Sequence, residues 1–430
     1  MNESLLTIEA WLQGAWTAVA TLERRDDGAR GCLGATRLTY LQEHVLAHAG
    51  ERGAAALSLR QPVNFVPQSL AAWPPVLTDI LPQGFGRQRL AEHLGIAASL
   101  PASDWALLRA GAGNPIGHLR VREAADGLAA QPRSDGWTLQ DLHEREEGFL
   151  ESLHAAGFAL GGSSGVQGEW PKLLMTQGRD QRWHLDHQLP DAEAERHWLV
   201  KFSRHDETGV FDDILRAEAV FHGIAATLGL RVHGRTTYDR GLLFVPRFDR
   251  ALSSMGRVER IAQESLYTLT GHGGFDAHVN HNRVCQALAE HASDPATELL
   301  EYVWRDVINV ALGNRDNHGR NMAIQRFEDG RVALAPVYDL APMCLHPDGI
   351  ARRMRWRQDD NARPDWGSVA AQVAESGVLA EGELRASYPR WAERLDAVPD
   401  LLLQQDCPER VLRAVLPLLR EVSAALLRAS

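Results

Sequence analysis

The sequence predicts an α+β chain in which strands gather in the middle and helices dominate the C-terminal part. Three observations carry that expectation. Between positions 170 and 250, short apolar runs broken by polar turns read as strands, with one amphipathic helix among them. Beyond 260, apolar residues recur mainly at helical spacing. The first 150 positions mix strand-like pieces, helices and Gly/Pro turns, which reads as a small mixed domain. At 430 residues the chain has room for roughly two or three domains, each with its own core. The divisions are drawn at 1–135, 136–250 and 251–430.

Taken in order, Arg37-Leu38-Thr39-Tyr40 alternates polar and apolar like a half-buried strand, and Leu57-Ser58-Leu59 reads as a second piece. Trp73-Pro74-Pro75-Val76-Leu77 leads to Leu81-Pro82-Gln83-Gly84, then to a helix over 87–94 stopped by Gly95. A linker over 131–136 and a helix over 140–155 precede the loop Gly161-Gly162-Ser163-Ser164-Gly165. Strands are expected over 171–176 and 197–202. The helix over 213–228 then lines up Ile214, Ala217, Val220, Phe221, Ile224 and Leu228 on one side. Gly229 ends it, and a strand pair around 235–238 and 242–248 follows. An apolar helix over 299–312 ends at Gly313. Runs at 322–327 and 331–337 flank Glu328-Asp329-Gly330, a hairpin signal. The tail keeps helical spacing from Val411 to Leu426, where Pro417 must kink or restart the helix.

The bulk numbers narrow the function classes. The chain is 44% apolar and 23% charged, an ordinary globular balance. No apolar run approaches the roughly 18 residues of a membrane helix, so no membrane association is expected. The start, Met1-Asn2-Glu3-Ser4, lacks a basic start and an apolar core, so no signal peptide is expected. Cys32, Cys285, Cys344 and Cys407 lack metal or disulfide spacing, so a reduced, cytoplasmic setting is expected. A formal charge of −11 argues against a surface that coats nucleic acid. The arginine-rich stretch 352–357 is read as a solvated loop or helix face. Trp11, Trp16 and Trp105 are read as core.

Only two of the 45 basic residues are lysine, Lys172 and Lys201. A codon bias toward arginine explains the scarcity, but not the placement. Lys172 follows the glycine loop, and Lys201 ends the apolar run Trp198-Leu199-Val200. A glycine loop followed by a lysine on a strand is one way to hold nucleotide phosphates, where a compact ammonium serves better than a planar guanidinium. Downstream lies Asn314-Arg315-Asp316-Asn317-His318-Gly319-Arg320-Asn321, then the hairpin, then Tyr338-Asp339-Leu340. Counting outward from the hairpin turn sets Asn321 and Asp339 nearly opposite each other, so Asp316, Asn321 and Asp339 should converge. An Asp, an Asn five residues later and a downstream Asp is the spacing of a kinase catalytic loop with its metal aspartate. Asp316 would orient or deprotonate an acceptor hydroxyl, and Asn321 and Asp339 would hold Mg2+ through hard oxygens. His318 is read as a structural loop residue. His184-Leu185-Asp186-His187 and His278-Val279-Asn280-His281 lack further ligands at zinc spacing. The formal Gly-x-Ser-x-Gly match around Ser163 lacks the strand-turn-helix context of a hydrolase.

On these motifs the chain resembles the HipA-family serine/threonine kinases, the toxin components of bacterial type II toxin–antitoxin pairs. The resemblance covers nearly the whole length. It implies a bilobal kinase-like fold related to phosphatidylinositol kinases, with an N-terminal accessory subdomain, a nucleotide-binding N-lobe and a helical catalytic C-lobe. Leu57-Ser58-Leu59, Leu81-Pro82-Gln83-Gly84 and 90–95 resemble the accessory part. Ser164, Gly165, Val166, Gln167 and Lys172 resemble the phosphate loop; Lys201 takes the place of the ATP-contacting lysine and Glu218 that of its partner. The segment 245–250, with Arg247 and Phe248, resembles the hinge whose backbone meets adenine, and Gln263-Glu264 resembles a further motif. The implied cofactors are ATP and Mg2+. A protein substrate of the aminoacyl-tRNA synthetase class and a helix-turn-helix antitoxin, with DNA met only through that partner, are the implied partners. Three departures stand out. Gly162 occupies the place of an autophosphorylated serine, with Ser163 and Ser164 as substitutes and Ser164 the better placed. Pro246 replaces a polar hinge residue, and extra residues at 168–171 lengthen the loop. An AMP-transferring enzyme on the same scaffold and a non-catalytic partner- or DNA-binding module are the alternatives.

Overall fold

The computed structural model describes residues 3–144, 171–204, 206–252, 257–274, 278–358 and 361–430. Near the N-terminus, strand β1 (Leu5–Leu12) buries Leu6, Ile8 and Ala10 on alternate positions and pairs antiparallel with β2 (Ala15–Arg24). A register shift between Ile8 and Glu9 marks a bulge. With β3 (Thr36–Tyr40), β4 (Gln68–Leu70) and β5 (Leu119–Val121) they form a sheet of order β4-β3-β2-β1-β5. Trp73, Leu77, Trp105 and Leu108 fill the core against it. The helix Gly84–Leu94 ends at Gly95, whose φ of +66° provides the left-handed cap expected there.

Two expectations fail in this region. Leu57-Ser58-Leu59 joins no strand beyond an isolated bridge between Ser58 and Gln61. Its backbone is satisfied instead by side chains: the Tyr40 hydroxyl accepts from Leu57 N at 2.9 Å and Glu264 from Leu59 N at 3.0 Å. Trp105 is buried, but Trp11 and Trp16 are only partly buried and lie outside the core cluster. They meet edge to face at 5.4 Å, with the Arg260 guanidinium 4.1 Å from the Trp11 ring and Arg120 4.2 Å from Trp16.

The second sheet is antiparallel throughout, ordered β7-β6-β8-β10-β9 from β6 (Lys172–Gly178), β7 (Trp183–Leu185), β8 (Ala194–Phe202), β9 (Thr237–Asp239) and β10 (Leu242–Pro246). Period-two alternation splits its faces. Leu173, Met175, Val200, Phe202, Leu242 and Phe244 share one apolar cluster, whereas Leu243 and Val245 pack with Leu215 on the other face. Lys172 and Lys201 are register partners, and their parity places both on that second face. The helix Val210–Thr227 crosses it, three residues earlier than the periodicity predicts because Gly209 starts it. Ala217, Phe221 and Ile224 turn away from the sheet into the helical core.

After the pair β11 (Arg250–Leu252) and β12 (Val258–Arg260), strand β13 (Ala262–Ser265) pairs with β14 (Ala323–Arg326), which forms the expected hairpin with β15 (Val332–Leu334). The helices His281–His291, Pro295–Ala311, Tyr388–Asp396 and Glu409–Ala429 bury the largest cluster, with Trp304 and Trp391 stacked at 5.0 Å. The last helix does not restart at Pro417. That residue lies on the exposed side of the helix, away from the packed core. The stretch 352–357 departs from a solvated face, because Arg352, Met354 and Trp356 are buried and only the alternate arginines reach solvent. Among the described residues, no helix is long and apolar enough to cross a membrane.

Arg326 is one of several side chains that tie the N-terminal region to the rest. Arg326 on β14 is fully buried and donates to the carbonyls of Ala56 at 3.0 Å and Leu57 at 2.9 Å, while Glu264 lies 3.1 Å from its Nε. A guanidinium so far from water persists only when nearly all its donors are engaged.

Candidate active site

The two lysines meet two carboxylates on the inner face of the second sheet. Lys201 Nζ donates to Glu218 at 2.6 and 2.9 Å and also to Asp339. Glu218 arrives from the Val210–Thr227 helix and Asp339 from the end of the hairpin, so three separate elements are locked by one ammonium. Burial opposes the Lys201 charge, but Asp339 and Glu218 outweigh it and hold the amine protonated well above the usual lysine range. Burial likewise pushes up on the Asp339 carboxyl. Lys201 and Lys172 reverse that and hold it well below the carboxylate range. For Lys172, burial wins over Asp339 and lowers the ammonium's affinity for its proton. A buried cation with so little compensation is suited to receive an anion.

Asp339 has φ +54°, a left-handed conformation that costs a non-glycine residue energy. Asn314 helps hold it: its Nδ2 donates to the Asp339 carbonyl at 3.1 Å and to Asn309 Oδ1 at 2.8 Å. The loop 314–321 is anchored from behind as well. Asn317 donates to Asp306 at 3.0 Å, and Asp306 also receives Arg352 at 2.8 Å and Trp356 at 2.9 Å. Gly319 lies so close to the Tyr267 ring that any Cβ would clash with it. The Tyr338 hydroxyl donates to the Arg320 carbonyl at 2.8 Å. His318 Nδ1 accepts from Arg320 N at 3.2 Å, and burial pushes its imidazole down to about 4. Its 3.7 Å approach to Asp316 is therefore no ion pair near neutral pH.

These groups surround a single cleft with two chambers. The inner one is lined by apolar groups such as Ile80, Ile116, Leu199 and Val245 and floored by Lys172, Lys201 and Asp339. The outer one, about 570 Å³, adds Asp316, His318 and Arg353 while sharing the two lysines, Glu218, Asn321 and Asp339. Asp316 is about one-third exposed there, open to an incoming group. Asn321 Nδ2 is spent on the Asp316 carbonyl at 2.8 Å, which leaves its Oδ1 as an acceptor. Among the described residues, no group of three or more His, Cys, Asp or Glu side chains is placed to cage a metal. One carboxylate and one amide oxygen beside a phosphate-sized space fit a Mg2+ ion that takes its other ligands from phosphate and water.

Lys172, Lys201, Glu218, Asp316, Asn321 and Asp339 thus line one cleft, although they span 168 positions of sequence from Lys172 to Asp339, counting both ends. Arg247 and Phe248 line the inner chamber, but the Arg247 guanidinium is spent on Asp186 at 2.8 Å and Asp249 at 2.7 Å. Phe248 lies 5.4 Å from the Tyr338 ring. Ser163, Ser164, Gly165, Val166 and Gln167 lie outside the described residues. Sequence reasoning missed Ile80, Ile116, Asp79 and Tyr267. Ile80 directly precedes Leu81-Pro82-Gln83-Gly84 and Tyr267 lies three positions after Glu264, but no local periodicity marks any of the four as lining a cleft.

Residues 164–398, over half of the chain, match the model of the HipA-like C-terminal domain. The chain belongs to this HipA-like family. A Sinorhizobium fredii protein named "Putative kinase Y4mE" is 28% identical over 306 residues, covering 68% of this chain and 69% of that one. Among solved structures, HipA of the Shewanella oneidensis toxin–antitoxin system, solved with HipB and operator DNA, superposes with a TM-score of 0.67 at 18% identity. The match covers 98% of this chain and 97% of that one. The HipA-like chain therefore shares that fold almost from end to end, including the N-terminal sheet that lies outside the family match.

Proposed function

We propose that this HipA-like chain is an ATP- and Mg2+-dependent serine/threonine protein kinase with a bilobal, phosphatidylinositol-kinase-related architecture. The observation that carries the reading is the Lys201–Glu218 pair facing Asp339, with Asp316 and Asn321 across the same cleft. The apolar inner chamber suits a purine, and the buried, under-compensated Lys172 beside Lys201 suits its phosphates. Asn321 and Asp339 would hold Mg2+, which supplies charge neutralisation between the phosphates when bound. Asp316 at the outer chamber orients the acceptor hydroxyl and takes its proton. The acceptor oxygen then bonds to the γ-phosphorus as the bond to the β–γ bridging oxygen breaks, and ADP leaves. The chain's own Ser163 and Ser164 are acceptors in this reading, as is an external protein. The HipB complex of the Shewanella relative supports a helix-turn-helix antitoxin partner here, with DNA contacted through it.

The test is the nucleotide product formed from Mg·ATP by the full chain in the presence of bacterial protein extract, beside Asp316→Asn. ADP formation that falls roughly a hundredfold in the variant, with ATP affinity retained, is expected. AMP as the product would move the chain to nucleotidyl transfer, and full activity in Asp316→Asn would remove that residue from the base role.

A further inference from the structure

Among the N-terminal residues that line the cleft, Asp79 brings a carboxylate. Asp79, in the helix Pro75–Ile80, accepts from Ser265 N at 2.9 Å, Ser265 Oγ at 2.7 Å and Thr268 Oγ1 at 2.7 Å. Ser265 is also the N-cap of the short helix Leu266–Leu269, accepting from Thr268 N at 3.2 Å. One side chain from the N-terminal region thus fixes the turn that carries Tyr267. The Tyr267 ring is the bed of the loop 314–321. The Arg320 guanidinium lies 5.3 Å over it, His318 stacks on it at 6.4 Å and Gly319 packs against its edge. Leu266 N donates to the Gly319 carbonyl at 2.9 Å.

Arg320 closes the circuit. Its Nε lies 4.0 Å from Asp79 Oδ1, and its Nη2 reaches Gly274 O at 3.1 Å and Thr78 Oγ1 at 3.4 Å. It sits one residue before Asn321 and four after Asp316. We infer that Asp79 is a positioning residue for the transfer reaction. It fixes Tyr267 and Arg320, and through them the loop that presents Asp316 and Asn321. This rests on the kinase reading above. The consequence is that the N-terminal region is a working part of the active site, although residue 79 lies outside the family match at 164–398.

The experiment measures steady-state rates against Mg·ATP for the full chain, comparing wild type with Asp79→Asn, Thr268→Val, Arg320→Lys and Arg60→Ala, each checked for folding by circular dichroism. Arg60 serves as the docking control: it grips the far end of the same short helix, donating to Leu269 O at 2.8 Å. The expected result is a kcat roughly ten- to a hundredfold lower in Asp79→Asn, with KM for ATP within about threefold of wild type. Thr268→Val, which breaks one bond to the carboxylate, shows a smaller loss of the same kind and stands in if Asp79→Asn fails to fold. Arg320→Lys, which keeps the charge, retains more activity than Asp79→Asn, and Arg60→Ala keeps the wild-type kcat. Unchanged kcat in both Asp79→Asn and Thr268→Val overturns the inference, as does an equal loss in Arg60→Ala, which would mean general docking. Wild type that neither binds nor turns over ATP instead overturns the kinase reading, so the two failures are read separately.

Discussion

Lys201 is the residue on which the cleft turns. Its ammonium is shared by Glu218 and Asp339, and a buried charge with two partners is rigid in a way that a surface pair is not. If Mg2+ takes up Asp339, Glu218 must keep the lysine in place alone. Glu218→Gln retains the shape and an acceptor but removes the charge that does so. It is expected to lower kcat/KM for ATP by about ten- to a hundredfold, read from initial rates over a range of ATP concentrations. Rates equal to wild type would mean that Asp339 alone suffices. The left-handed Asp339 belongs to the same scale: its strain is tolerated because Asn314 and Lys201 both hold it.

Among the elements, the helix His281–His291, the helix Pro295–Ala311 and the stretch after 350 are joined by one buried polar knot behind the loop 314–321. Arg352 Nη2 donates to His281 Nε2 at 3.0 Å, so that nitrogen must be bare, and Nδ1 meets the Tyr302 hydroxyl at 2.7 Å. Burial, aided by Arg352 and opposed by Asp306, pushes the His281 imidazole down to about 4. The folded state therefore resists protonation that the unfolded chain accepts near 6.5. This contribution to stability is fully present above about pH 6.5 and is lost as pH falls toward 4. Thermal melts across that window should show stability declining, His281 alone contributing a slope approaching about 1.4 kcal/mol per pH unit. His281→Gln should flatten the decline; the same slope in the variant would assign it to other histidines, of which His187 and His318 are also held near 4.

For the whole molecule, what could be read from the sequence was what short-range physics controls. The apolar run that ends at Lys201, the Gly95 cap and the Glu328-Asp329-Gly330 hairpin are local signals, and each element formed within a few residues of its expected bounds. The kinase-like spacing foretold that Asp316, Asn321 and Asp339 would line one cleft, because a hairpin converts sequence separation into known geometry. Leu57-Ser58-Leu59 misled because its hydrogen bonds go to Tyr40 and Glu264, partners no local pattern names. Asp79 was invisible for the same reason, its bonds lying 186 and 189 positions away. Trp11 and Trp16 looked like core by composition, yet arginines from Arg120 and Arg260 cover them at the surface. Long-range polar contacts link the N-terminal region to the loop 314–321. The proposed function stands on phosphoryl transfer from this cleft. The measurement that tests it most directly is the intact mass of wild type and Asp316→Asn, purified under identical conditions and incubated with Mg·ATP. Phosphate-sized additions to the wild type alone are the predicted result; an AMP-sized addition, or equal phosphate additions to both proteins, would contradict it.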